Sequence, residues 1–400
     1  MSRKRINMGK KVLFISAVAG FLSHFEKNNV MILQEMGYEV HFASNKNNMV
    51  YHTTEMSCEQ IYRKMNVIYH DISIQQSPFA VLQNMKAVEQ TRRIIKQENI
   101  NVIHCSTPNG GVIGRVAALR SKIQAIKVLY YVHGFHFCKD GLKWKDYIFR
   151  FVEGILARCT DIILTINHED YKAAQKFKLR KNGNVYCVPG VGVDLEYYRI
   201  PTYEERKKAR HQLGVENKFF LLSVGEIRQN KNQITIVKAL EAMKNIEGNI
   251  SDIVYGLVGE EKNGYDLESK VTNMGIRENV IFYGYQTDIR PYLRAADVVV
   301  FPSIREGLGM AALEALAMGV FVIAADNRGT REYIIEDLNG VRNSATDTRA
   351  FTNSIQTAYK ENYQKEINQA KKMEIRKSVH KFSEKESIDI LRGIYHEVFS

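Results

Sequence analysis

The chain has 400 residues, 45% apolar and 25% charged, so it can bury a sizeable core, and its length favours two domains of similar size over one. Its 56 Lys and Arg against 44 Asp and Glu leave a formal net charge of +12, which favours anionic partners such as nucleotides, lipid head groups or nucleic acid, although a solvated basic surface gives the same count. Five scattered cysteines, Cys58, Cys105, Cys138, Cys159 and Cys187, form no CxxC pair, which argues against a disulfide framework and a zinc site.

The basic start, MSRKRINMGKK, leads into an apolar run at 12–18 that is too short for a signal peptide and suits a first strand. No stretch approaches the roughly 18 apolar residues of a membrane-spanning helix, so a cytoplasmic chain is expected, either soluble or peripheral on a membrane. After the first strand comes AVAGFLSHF, in which Gly20 would allow close backbone approach to an acceptor or diphosphate, or would simply form a turn. Further strands are expected at 39–45, 67–72, 102–107, 127–133, 161–167 and 185–189, several of them apolar on both faces as buried parallel strands are. Amphipathic helical patterns lie between them, as at 81–96 and 143–158. The second of these carries Trp144, Tyr147, Ile148, Phe151 and Ile155 at helical spacing among lysines and arginines. A core-facing helix is the expectation; a membrane-surface patch is the alternative.

Residues 199–217, RIPTYEERKKARHQLGVEN, are strongly charged and are expected to link a first domain, 1–200, to a second, 201–383. A last helix at 384–400 would pack back on the first domain. Strands resume at 219–226, 253–259, 280–284, 298–302 and 320–325. The implied class is α/β, two Rossmann-like doubly wound domains facing a cleft, with ligands at the carboxyl ends of the strands.

Three strings occupy such strand ends. YYVHGFHF places His133 and His136 after a buried strand; a lone histidine there is as a rule structural, but two facing a cleft point to function. SVGEIRQNKNQ places Arg228 and Lys231 after the first strand of the second domain. FPSIREGLGMAALEALAMGVFVIAADNRGTREYI runs from a strand through Glu306, Gly307, Leu308 and Gly309 into a helix that stops at Gly319. Glycines at a helix start leave N–H groups bare at the positive end of the helix dipole, a receptor for a diphosphate. Glu306 lies before that helix and Glu314 about two turns inside it. Taken alone, such a pair could be a helix-start charge and a surface residue.

Together these strings resemble the family-four retaining glycosyltransferases of GT-B fold, whose signature is a Glu, seven residues and a second Glu, as in Glu306 and Glu314. The resemblance implies that Glu306 contacts the donor sugar hydroxyls, that Glu314 contacts the ribose, and that the amides of Gly307–Gly309 face the sugar–phosphate portion. It also implies that Lys231 grips the diphosphate and that His133 lies near the reacting sugar. The family's usual Gly-Arg is Gly225-Glu226 here, so Arg228 would have to supply part of that charge. The strings HCSTPNGG, TINHEDY and VPGVGVD are similar to those of enzymes of bacterial capsule and exopolysaccharide assembly. The implied activity is transfer of a sugar from a nucleotide diphosphate donor, UDP-linked by resemblance, to a polyprenyl-diphosphate-linked or saccharide acceptor. Lys231, Arg228 and the helix start would stabilise the leaving diphosphate, each such electrostatic donor being worth about 10²–10³-fold. No cofactor, metal or nucleic acid is implied. A sugar-nucleotide epimerase would share the fold. A basic nucleic-acid-binding protein would share the charge, but no recognisable reading module is present.

Overall fold

In the first half of the chain, apolar runs form seven strands: β1 (Lys11–Ile15), β2 (Glu39–Ser44), β3 (Val67–Asp71), β4 (Val102–Ser106), β5 (Lys127–Val132), β6 (Ile162–Thr165) and β7 (Asn184–Cys187). All pair in parallel, in the order β3-β2-β1-β4-β5-β6-β7. Their side chains are apolar on both faces because helices cover both. Val12, Leu13, Phe14 and Ile15 of β1 are essentially inaccessible, as are Ile103 of β4 and Val128 and Leu129 of β5. The computed structural model describes residues 9–48, 56–137, 143–262, 264–362 and 369–399. Cys138, residues 140–142 and most of the basic N-terminal string therefore lie outside the described residues.

The second half forms six strands: β8 (Phe219–Val224), β9 (Ile253–Val258), β10 (Val280–Gly284), β11 (Val298–Phe301), β12 (Phe321–Ala325) and β13 (Gly340–Asn343). They too are parallel, ordered β10-β9-β8-β11-β12-β13. Strand β13, sequence GVRN, is a short and partly exposed edge strand. Its polarity kept it out of the strands expected from apolar runs.

The chain divides into two compact units, Met1–Val191 with Ser387–Ser400, and Gly192–Glu386. The last helix, Glu384–Phe399, thus belongs to the first unit from Ser387 onward. There it buries Leu391, Ile394, Tyr395 and Phe399 and pairs Arg392 with Glu35 at 2.8 Å. Ser387 Oγ donates to the Gly190 carbonyl.

Two expectations are corrected. Residues 199–217 are no linker: Tyr203–Leu213 is an α-helix of the second unit, opened by a capping box between Thr202 and Glu205 and closed by Gly214. Its charge does structural work, since Arg206 and Arg210 reach Asp297 at 2.6 and 3.0 Å and donate to carbonyls at 294–296. The helix Lys143–Ala157 does not turn its aromatic stripe inward. Trp144 is 63% exposed, Tyr147 74% and Phe151 69%, while contacts to the core come from Phe149, Leu156 and Ala157. The spacing of the stripe was correct for a helix; periodicity alone does not say which side meets the sheet.

Candidate active site

In the second unit the strand order reverses between β8 and β11, the place where open parallel sheets leave a crevice at the carboxyl ends of their strands. Three asparagines fasten the loops there. The Asn230 carbonyl accepts from the Ile304 amide at 2.8 Å, and its side chain donates to the Arg305 carbonyl at 3.0 Å. Asn232 donates to the carbonyls of Pro302 and Ala345 at 3.1 and 2.9 Å, from a left-handed backbone (φ 58°) that asparagine tolerates. Asn327 donates to the Ser303 carbonyl at 2.8 Å, tying in the loop after β12.

This stitching brings Lys231 and Glu306 together, Nζ to Oε1 at 2.7 Å, with both side chains largely buried. The Lys231 ammonium also lies 5.6 Å from the Phe301 ring centroid. Immediately after Glu306, Leu308 is buried, and Gly309 takes φ 91°, where a Cβ would fall 2.8 Å from the Phe301 ring. Only glycine fits that turn. The helix Met310–Ala317 starts there, so Gly307, Leu308 and Gly309 form its lead-in, as expected. Arg328, also buried, donates through Nε to the Glu306 carbonyl at 3.2 Å. Glu314 is about one turn into the helix, not two, because the helix begins at Met310. Its carboxyl is half-buried beside Tyr198 and pushed up to about 7 by burial.

Arg228 is not a free cation. Its Nε lies 3.3 Å from Glu226 Oε2, while Lys262 Nζ reaches Glu226 Oε1 at 3.0 Å. The carboxylate that stands where the resemblance calls for an arginine is therefore matched by two cations, and the trio keeps one net positive charge. Lys262, Arg328 and Tyr198 are additions that spacing could not supply, since each reaches the site from a separate loop.

In the first unit the reversal lies between β1 and β4. His133, just after β5, is the half-buried end of a network: its Nε2 is 3.8 Å from Glu26 Oε1. Glu26 is buried, accepts from Ser106 Oγ and lies 3.2 Å from His104 Nδ1. His104 Nε2 in turn lies 2.9 Å from the Tyr395 hydroxyl of the last helix. Burial pushes His104 down to about 4. Burial pushes the Glu26 carboxyl up, but the two histidines and Ser106 outweigh it and hold it below the usual carboxylate value. The rings of Tyr131 and Phe21 flank His133 at 4.4 and 4.9 Å. His136 lies beside Phe149, ring centroids 5.1 Å apart. Gly20 opens the helix Phe21–Phe25 with φ −82°, a conformation open to any residue. Glu26 escaped the sequence reading because nothing in FLSHFEKNN marks a buried carboxylate.

Comparison with known proteins shows the family and the fold. The family model for glycosyl transferases group 1 matches residues 205–378, and that for glycosyl transferase 4-like proteins matches residues 11–176. The chain is 33% identical to the putative glycosyltransferase EpsD of Bacillus subtilis over 97% of both chains. It is 27% identical, over 69% of this chain and 70% of the other, to the UDP-Gal:alpha-D-GlcNAc-diphosphoundecaprenol alpha-1,3-galactosyltransferase of Escherichia coli. Among solved structures, Anabaena HepE in complex with UDP and glucose superposes with a TM-score of 0.74 at 18% identity, covering 97% of this chain and all of that one. That likeness is one of fold, the pair of Rossmann-like units of the GT-B type.

Proposed function

The chain belongs to the group 1 glycosyl transferases, and we propose that it moves a hexosyl group from a UDP-sugar, with retention of configuration, to a lipid-linked saccharide in polysaccharide assembly. The relatives named EpsD and galactosyltransferase support the setting, and the latter's printed donor and acceptor support UDP and a polyprenyl-diphosphate carrier. The observation that carries the reading is the Lys231–Glu306 pair at the start of the helix Met310–Ala317. In the structure each group satisfies the other. A bound donor separates them, the carboxylate taking sugar hydroxyls and the ammonium taking the diphosphate, so little desolvation is added on binding. As the glycosidic C–O bond breaks, negative charge grows on the diphosphate and the ring turns oxocarbenium-like. Lys231, the helix start at Gly307–Gly309 and the Arg228–Lys262 pair stabilise that charge, and fixed cations do so without a metal or cofactor. Glu314 holds the ribose. His133, beside Glu26, is assigned a catalytic role as well. Work on a lipid-linked acceptor places the enzyme peripherally at a cytoplasmic membrane face.

The test is melting with UDP, GDP and ADP, followed by transfer assays on Lys231→Met. UDP at about 100 times its dissociation constant should stabilise the protein by roughly 2.7 kcal/mol. The variant should lose about 10²–10³-fold in kcat. Turnover of the nucleotide sugar to an isomer with no acceptor present would assign an epimerase instead. Unchanged kcat in the variant would remove Lys231 from the mechanism.

A further inference from the structure

A single residue, Glu26, separates the helices Phe21–Phe25 and Lys27–Glu35, and its backbone (φ −129°, ψ 15°) leaves helical geometry. The break turns its side chain inward, to 1% exposure, against the carboxyl ends of β4 and β5. Phe14, Phe21, Leu22 and Phe42 line the space beside it, so packing alone would be served by an apolar side chain. A carboxylate in such a place is costly unless partners meet it.

Four side chains do. Ser106 Oγ donates to Oε1 and Asn29 Nδ2 donates to Oε2 at 3.4 Å, while His104 Nδ1 lies 3.2 Å from Oε2 and His133 Nε2 lies 3.8 Å from Oε1. The two histidines are not equivalent. His104 is inaccessible, its other nitrogen faces the Tyr395 hydroxyl at 2.9 Å, and burial keeps it neutral. His133 keeps 17% exposure. Its Nε2 is buried without a hydrogen bond of its own, and nothing among the described residues engages Nδ1. Tyr131, Phe21 and Phe25 enclose the ring, with centroids 4.4, 4.9 and 6.1 Å away. Packing therefore sets how the ring lies, and a buried acceptor facing Nε2 sets which nitrogen carries the proton. The 3.8 Å gap exceeds a hydrogen bond, as pairs of this kind often do before substrate binds.

We propose that Glu26 is a positioning residue of the transfer reaction: its carboxylate keeps the ring proton of His133 on Nε2, so that Nδ1 presents a lone pair to a substrate hydroxyl. The hydroxyl donates to Nδ1, while Ser106, Asn29 and His104 hold the carboxylate from its other sides. The inference rests on the catalytic role assigned to His133 under the proposed function.

The first readout needs no substrate. In protein labelled with nitrogen-15 at histidine, the signal of His133 is the one missing from His133→Gln. At a pH where the ring is neutral it should show Nε2 protonated and Nδ1 bare. Glu26→Gln keeps the shape and removes the charge; its amide can turn NH2 toward Nε2, and the ring proton should move to Nδ1, as happens when the acid behind a functional histidine becomes its amide. Transfer kinetics supply the second readout. His133→Gln should lower kcat about 10²-fold and Glu26→Gln at least about tenfold. The double variant should lose no more than His133→Gln alone, because Glu26 acts through the ring. A carboxylate that only stabilises the fold would leave the tautomer in place and give losses that multiply. Hydrogen exchange at β1 and β4 in Glu26→Gln checks that the first unit stays folded. A wild-type ring with its proton on Nδ1, an unchanged tautomer in Glu26→Gln, or multiplying losses would overturn the inference. If the wild type transfers no sugar, the transferase reading fails while the ring spectrum still decides what Glu26 does to His133, so the two fail separately.

Discussion

At Glu314 a carboxyl group packed beside Tyr198 is pushed from its ordinary 4.5 up to about 7 by burial, so near neutral pH both acid and carboxylate are present. The sign of the consequence is fixed. Between about 4.5 and about 7 the folded chain keeps a proton that the unfolded chain has lost, so this group's contribution to stability is full below that window and disappears as pH rises through 7. Ribose hydroxyls would donate to the carboxylate and favour its ionised form, giving nucleotide affinity the opposite trend. Calorimetric titration with UDP between about pH 6 and about pH 8 should show affinity rising through about 7. Glu314→Gln should bind more weakly and flatten the dependence. A wild-type affinity that does not change with pH would place the ribose elsewhere.

The elements around the site are held as tightly as the residues in it. The helix Met310–Ala317 ends in a Schellman motif, the Gly319 amide donating to Leu316 at 2.9 Å and the Val320 amide to Ala315 at 3.0 Å. Gly319 has φ 74°, and a Cβ there would fall 2.8 Å from Lys372 Cβ and 3.0 Å from its carbonyl. Gly319→Ala should therefore cost more than the usual left-handed penalty of about 1 kcal/mol, read as a lower denaturant midpoint with an unchanged m-value. This glycine was legible in the sequence because chemistry forces it: an apolar stripe, a stop and a new strand leave no other reading. The twelve strands expected from apolar runs were legible for the same reason. What was not legible depends on contacts between distant segments. Strand β13 is too polar to announce itself, the charges of 203–213 look solvated until Asp297 is seen between Arg206 and Arg210, and the stripe at Trp144 has helical spacing whether it faces core or solvent. At the site, Lys231 and Glu306 carried their own local signal, whereas Glu26, Lys262 and Arg328 are defined only by the loops that bring them in.

Over the whole chain, the second unit is one continuous segment, Gly192–Glu386, while the first is completed only by Ser387–Ser400. Folding of the first unit must therefore wait for the last residues of the chain, and its stability rests on a helix added after the other unit is finished. That helix does more than cover apolar surface: Tyr395 is the partner of His104, whose other nitrogen faces Glu26, so the tail reaches the polar network behind His133. Two variants separate these contributions. Tyr395→Phe keeps the packing and removes one hydrogen bond, a loss of about 1 kcal/mol. Truncation after Glu386 uncovers the surface that Leu391, Ile394, Tyr395 and Phe399 bury, and at roughly 1.5–3 kcal/mol per large apolar side chain it should cost most of an ordinary domain's stability. Hydrogen exchange resolves where the loss falls. In the truncated chain, amides of β1, β4 and β5 should exchange faster by several orders of magnitude while those of β8, β11 and β12 keep their protection, and UDP should still slow exchange in the second set. Equal loss of protection in both sets would mean that the two units fold as one cooperative body, and that the tail stabilises the whole chain instead of the first unit alone.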